Sequence, residues 1–195
     1  MSTLTMKATA RERLLEAADE LFYREGIHTV GIDRIIEHAG VAKASLYNTF
    51  GSKDELVRAY LHKRHMRSND RITRAMARHD TPREKLLSVF EAQGALFADP
   101  QYRGCAFVAA SAEAPSGGTV EQASDEFRAW LRGLFADLAA QVGVADPEGF
   151  GRTMHLLYDG AMLSARMDRD PSAAAVARAT AEVLLDAAPK AKRRR

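Results

Sequence analysis

The residues of this chain best equipped for chemistry lie together in the stretch "KASLYNTFGSKDEL", residues 43–56. Lys43 offers a cation, Tyr47 a hydroxyl, and Asn48 an amide that donates and accepts at once. An amide of this kind can make paired hydrogen bonds to an adenine edge, and Lys43 and Tyr47 can reach phosphate oxygens. Ala44 and Ser45 are small enough to let a backbone approach closely. Ser52 reads as the cap of a following helix, with Glu55 completing a capping-box pattern. A helix start presents free N–H groups and partial positive charge, so it can hold a phosphate. Lys53 adds a full charge there, while Asp54 and Glu55 oppose it. The set suits recognition of a double-stranded polyanion.

Catalytic sets are missing from the sequence. It holds no Gly-rich phosphate loop, no Gly-x-Ser-x-Gly elbow and no His-Glu-x-x-His. An enzyme is therefore not expected, and neither is a cofactor. His62 and His65 sit among Lys63 and Arg64, where a metal cation would be repelled, so no metal site is expected. The one cysteine, Cys105, excludes an internal disulfide and a cysteine-based zinc finger. A small buried role suits it better than a redox role.

The elements that must position residues 43–56 read as helices. "TARERLLEAADELFYREG" places Leu14, Leu15, Ala18, Leu21 and Phe22 at a period near 3.6, with Thr9 or a neighbour to cap and Gly26 to stop it. "GIDRIIEHAG" places Ile32, Ile35, Ile36 and Ala39 on one side, and Gly40 permits a tight turn. "KASLYNTF" follows, anchored by Leu46 and Phe50. The second and third helices have the size and spacing of a helix-turn-helix, whose second helix enters the major groove. A long fourth helix runs to about Arg78, and five more helical patterns follow between Pro82 and Ala188. The expected fold class is all-α with about nine helices. Residues 8–53 are expected to form the DNA-binding module, 54–188 a helical bundle for ligand binding and dimerisation, and 189–195 a basic, disordered tail.

With 195 residues, 46% of them hydrophobic, the chain can bury a core. Its net charge of +2 is a tail effect, because "KAKRRR" alone supplies five basic side chains. The run from Arg58 to Lys85 holds nine basic and three acidic residues, which reads as a solvated face or as an attractor for DNA. The first residues lack the pattern of a secretory signal, and no apolar run approaches a bilayer span. The expectation is a cytoplasmic protein with no membrane partner.

The stretch Arg11 to Leu61 resembles the DNA-binding module of TetR-family transcriptional regulators. The matching marks are Ala17, Leu21, Phe22 and Gly26; then Ile35, Ala39, Gly40 and Val41; then Leu46, Tyr47, Phe50, Ser52, Lys53, Glu55 and Leu56. The resemblance implies a homodimeric regulator, usually a repressor, bound to a palindromic double-stranded DNA operator and released by a small-molecule effector. Two positions depart from the family pattern. Gly31 stands where Ser or Thr often precedes the second helix, so either Thr29 substitutes or the phosphate contact is weaker. Thr49 stands where His or an aromatic residue is common.

An effector that is at least partly apolar would find candidate partners in Phe90, Gln93, Phe97, Phe107, Phe127, Trp130, Met154, His155 and Tyr158. Plain core packing competes for each of them. For the dimer, the last two helices offer Gly151, Gly160, Ala161, Ser164, Ala177, Thr180, Val183 and Leu184; closing the protomer's own core is the competing role. A helical DNA-binding or scaffolding protein with no effector is the alternative to a ligand-responsive repressor.

Overall fold

The computed structural model describes residues 8–192. Among these, nine helices follow in order: α1 (Ala10–Glu25), α2 (Ile32–Ala39), α3 (Lys43–Phe50), α4 (Lys53–Met76), α5 (Pro82–Phe97), α6 (Ala106–Glu113), α7 (Thr119–Val142), α8 (Pro147–Asp168) and α9 (Ala173–Ala187). No helix among the described residues is long and apolar enough to cross a membrane. The chain divides into two compact units. One comprises the chain up to Arg64 together with Ala106–Ser124; the other comprises His65–Cys105 and the chain from Asp125 onward. This division differs from a linear boundary at residue 53, since it groups α6 and the first part of α4 with α1–α3.

In the first unit, α1 starts with a full capping box. The Thr9 hydroxyl accepts from the Glu12 N–H at 3.2 Å, and the Glu12 carboxylate accepts from the Thr9 N–H at 2.8 Å. Donation from the Thr9 N–H, and from its hydroxyl at 3.0 Å, holds the Glu12 carboxyl below its ordinary pKa. The inner face of α1 buries Leu14, Ala17, Ala18, Leu21 and Phe22. Gly40 ends α2 in the left-handed region (φ 60°), and the Val41 N–H returns to the Ile36 carbonyl at 3.3 Å. Arg13 donates to the Gly40 carbonyl at 3.0 Å, tying α1 to that turn. Tyr60 of α4 meets Phe22 edge-on at 5.5 Å, and the Arg64 guanidinium lies 3.8 Å over the Tyr23 ring.

In the second unit, Phe90 and Phe135 stack at 5.7 Å, with Tyr158 beside both. The inner face of α9, formed by Ala174, Ala177, Ala181 and Leu185, packs on α5 and α8. Ion pairs from Arg83 to Glu182 and Asp186, both at 3.0 Å, staple α5 to α9. The tail differs from expectation over its first residues. The Ala145 N–H donates to the Pro189 carbonyl and the Ala191 N–H to the Gly143 carbonyl, each at 2.8 Å, so Lys190 bridges antiparallel to Val144. Backbone pairing outweighs the basic composition there. Residues 193–195 of the expected tail lie outside the described residues.

Candidate nucleic-acid interface

α3 divides as its sequence predicts. Leu46 is fully buried and Phe50 half-buried under the Arg11 guanidinium, 5.6 Å from its ring centroid. Lys43, Ala44, Tyr47 and Asn48 are exposed, and Ser45 is half-buried. Tyr47 leaves 46% of its surface to solvent, with its ring and hydroxyl on the outer side of α3. Thr49 is exposed, and its hydroxyl donates to the Ser45 carbonyl at 2.6 Å, which removes its donor from intermolecular use.

The electrostatics add a feature not evident in the sequence. The Lys43 ammonium lies 2.9 Å from the Asp33 carboxylate on α2, and that hydrogen bond holds its pKa above the ordinary lysine value. Both side chains are exposed, so a phosphate can compete with Asp33 for the same cation. Gly31 precedes α2 and Ala42 precedes α3 as N-cap residues, and neither start has a side-chain cap. First-turn N–H groups of both helices, other than that of Ser45, which donates to the Ala42 carbonyl at 2.9 Å, therefore keep their capacity for a phosphate oxygen. The absence of Ser, Thr, Asp or Asn at residues 31 and 42 was the signal for this. Thr29, exposed, lies two residues before Gly31 and does not cap α2.

Ser52 caps α4 as expected, accepting from the Glu55 N–H at 3.1 Å. The Glu55 carboxylate lies 3.9 Å from Arg58. Lys53 is half-buried and lines a cavity of about 320 Å³ with His28, Val57, Glu113 and Pro115. Its surroundings thus include an acid from the end of α6 as well as the helix start.

The nine effector candidates do not form one wall. Phe90 and Tyr158 belong to the central ring cluster, and the Gln93 amide donates to the Tyr158 carbonyl at 3.0 Å. Phe127 and Trp130 instead enclose His65, at 5.5 and 4.8 Å. Phe97 pairs with Tyr102 at 5.1 Å. Phe107, buried on α6, belongs to the other unit. Met154 and His155 are buried on α8. Burial pushes the His155 pKa down, the Asp159 carboxylate opposes this, and Arg128 and Arg132 reinforce it. Three buried polar atoms in this unit, Arg71 Nε, Gln93 Oε1 and His155 Nε2, have no hydrogen-bond partner among the described residues, although His155 Nε2 lies 3.6 Å from the Asp159 carboxylate. Arg71 belongs with them and was missed. It was counted in the basic run from Arg58 to Lys85, yet its side chain reaches the Tyr158 hydroxyl, whose pKa burial raises. The inward period Leu61, Arg64, Ser68, Arg71, Ala75 was the signal for it.

α8 and α9 carry an exposed apolar face on the second unit: Leu156, Leu163, Met167, Val176 and Val183 are each more than half exposed. A groove of about 460 Å³ runs between the helices, with Gly160, Ala161, Ser164, Ala177 and Leu184 among its lining. Thr180 is exposed, with its hydroxyl bonded to the Val176 carbonyl. Gly151 and Ala177 are exceptions among the dimer candidates, for Ala177 is buried on the inner face of α9 and Gly151 is closely packed. A Cβ there would lie 2.9 Å from the Arg132 carbonyl oxygen and 3.1 Å from the Ala136 methyl, so this glycine serves close packing of α7 on α8 inside the protomer.

Comparison with known proteins agrees with this geometry. The family model described as "Bacterial regulatory proteins, tetR family" matches residues 14–60. The chain is similar to the crystal structure of a TetR-family transcriptional regulator from Streptomyces coelicolor, with 36% identity, 91% of this chain and 94% of that chain covered, and a TM-score of 0.85. A TetR-type structure from Streptomyces avermitilis shows 33% identity, coverage of 94% and 100%, and a TM-score of 0.81. An uncharacterized HTH-type transcriptional regulator of Mycobacterium tuberculosis is 35% identical over 78 residues, or 40% of this chain; the match spans 39% of that relative's own length.

Proposed function

Because this chain belongs to the TetR family of DNA-binding transcriptional regulators, we propose that it acts as a homodimeric repressor whose grip on a palindromic operator is released by a small-molecule effector. The observation that carries this reading is the division of α3, which buries Leu46 while leaving Tyr47 and Asn48 in solvent. Asn48 reads a base edge, with Ala44 and Ser45 beside it in the groove. Lys43, Tyr47, Ser52, Lys53 and Thr29 hold phosphates. The uncapped starts of α2 and α3 add backbone donors.

The exposed apolar face of α8 and α9 supports the dimer. A face this rich in Leu, Met and Val is disfavoured in water and suits a second copy of itself. A two-fold dimer sets two recognition helices about 34–36 Å apart, one turn of the duplex, and requires an imperfect palindrome. The orphaned Gln93 Oε1 and the buried His155, whose Nε2 has only the Asp159 carboxylate at 3.6 Å, support a partly apolar effector with polar groups to meet them. Such a ligand lowers operator affinity by its preference for forms whose recognition helices are misplaced.

The test is a gel-shift titration on a duplex selected from a random pool, with the mass of the complex measured. Two protomers per palindromic site, and dissociation by an apolar small molecule, are expected. One protomer per asymmetric site would reject the dimer reading. Complexes that resist every ligand able to raise the protein's Tm would reject effector release.

A further inference from the structure

We infer that the loop between α5 and α6, together with the C-terminal end of α8, forms a binding site for a small aromatic carboxylate. A cavity of about 400 Å³ opens there, lined by Arg103, Arg166 and Arg169, with Asp99 as the one acid in its lining. Its volume falls within the usual range for small-ligand sites. Its floor is apolar: Phe97 and Tyr102 both line it, their rings 5.1 Å apart, and both are buried. The Tyr102 hydroxyl is already spent, donating to the Met162 carbonyl at 2.7 Å, so that residue brings its ring rather than its donor. Asp99 is likewise engaged, accepting from the Gln101 N–H at 2.8 Å.

One backbone feature bears directly on an arginine at this place. Arg169 ends α8 in the left-handed region (φ 57°, ψ 34°) and is the non-glycine residue with positive φ among those described. Glycine would occupy that conformation without steric cost, yet arginine stands here. Backbone strain retained at a cavity mouth points to use of the side chain. The Arg166 stem packs beside Gly104, whose φ of 97° favours glycine there: a Cβ on residue 104 would meet Arg166 Cγ at 3.5 Å, an ordinary contact. The arginines thus come from two places in the chain, Arg103 from the loop and Arg166 and Arg169 from the end of α8, and line one concavity, with Arg103 also donating to the Tyr102 carbonyl at 3.4 Å. Like charges gathered in this way repel one another, and a bound anion relieves the repulsion. Guanidinium forks match a carboxylate in a bidentate manner, while the Phe97–Tyr102 floor takes the ring.

The site goes beyond operator binding and does not depend on it. It is tested on the full-length protein without DNA, by isothermal titration calorimetry with benzoate, benzamide and inorganic phosphate. Benzoate should fill one site per protomer and bind at least about tenfold more tightly than benzamide, which has the same shape without the charge. Arg166→Gln keeps the stem against Gly104, and Arg169→Gly relaxes the backbone, so both variants should fold with an unchanged or raised Tm. Each should weaken benzoate binding by about tenfold. Equal binding of benzoate and benzamide, wild-type affinity in both variants, or no benzoate binding at millimolar concentration would overturn the inference. Phosphate binding as tightly as benzoate would also overturn it, by showing a bare charge patch without a subsite for the ring.

Discussion

The Glu113 carboxylate, at the last residue of α6, accepts a hydrogen bond from the backbone N–H of His28 at 2.7 Å, in the turn between α1 and α2. Gly26 makes this approach possible. Its φ of 91° is left-handed, and a Cβ on it would lie 2.4 Å from Glu113 Oε1. The end of α6 is thereby tied to the turn that leads into the helix-turn-helix. Glu113→Ala should speed amide exchange at His28 by about fivefold to tenfold while leaving exchange at Leu14 unchanged. Unchanged exchange at His28 would show that the contact does not restrain the turn.

Lys43 and Asp33 make a second prediction, about salt. Lys43→Ala should weaken binding to all DNA sequences alike and reduce the salt slope by about one. Asp33→Asn should strengthen binding to all sequences, because it removes the carboxylate that competes with phosphate for Lys43. Fluorescence anisotropy at several salt concentrations measures both. An Asp33→Asn protein with wild-type affinity would mean that Lys43 touches no phosphate.

At the apolar face of α8 and α9, Leu163 is 62% exposed in the protomer. Leu163→Glu should leave the protomer folded and produce monomers in analytical ultracentrifugation. Operator affinity should fall by at least about 100-fold, since two half-sites no longer bind as one. A dimer that survives the substitution would place the interface elsewhere.

His155 gives a pH dependence. Burial lowers its folded-state pKa below the ordinary 6.5, with Asp159 opposing and Arg128 and Arg132 reinforcing the shift. The unfolded chain therefore binds the proton more readily. Stability from the neutral imidazole is fully present above pH 6.5 and is lost as the pH falls toward the lowered folded value. Urea unfolding at fixed protomer concentration should show a shallower acid-side loss for His155→Gln than for wild type. Parallel losses in the two proteins would remove His155 from the balance.

Periodicity made the fold legible. Leu14, Ala18, Leu21 and Phe22 recur at helical spacing, and all but the turn residues between helices follow the same rule. The exposed side of α3 was legible for the same reason, because Leu46 and Phe50 leave Tyr47 and Asn48 no inward direction. What escaped was tertiary pairing. Ring partners such as Phe97 at the end of α5 with Tyr102 in the following loop, or His65 on α4 with Trp130 on α7, come from different elements, and no helical spacing announces them. Arg71 was hidden by its company in a basic run, although its stem follows the inward period of α4. Gly151 looked like the other small residues of α8, and only the nearness of Arg132 and Ala136 distinguishes it. Pro189 to Ala191 were hidden by composition, since a backbone ladder with Gly143 and Ala145 is indifferent to side-chain charge.

Footprinting of the purified protein on the DNA upstream of its own gene, at stated salt, with Asn48→Ala in parallel, tests operator binding through α3 most directly. Wild type should protect an imperfect palindrome with half-sites one helical turn apart. Asn48→Ala should protect the same place but lose preference at one base pair in each half-site, at a cost of about 1–3 kcal/mol. Protection of a site without two-fold symmetry, or an Asn48→Ala protein with wild-type preference at every position, would contradict it.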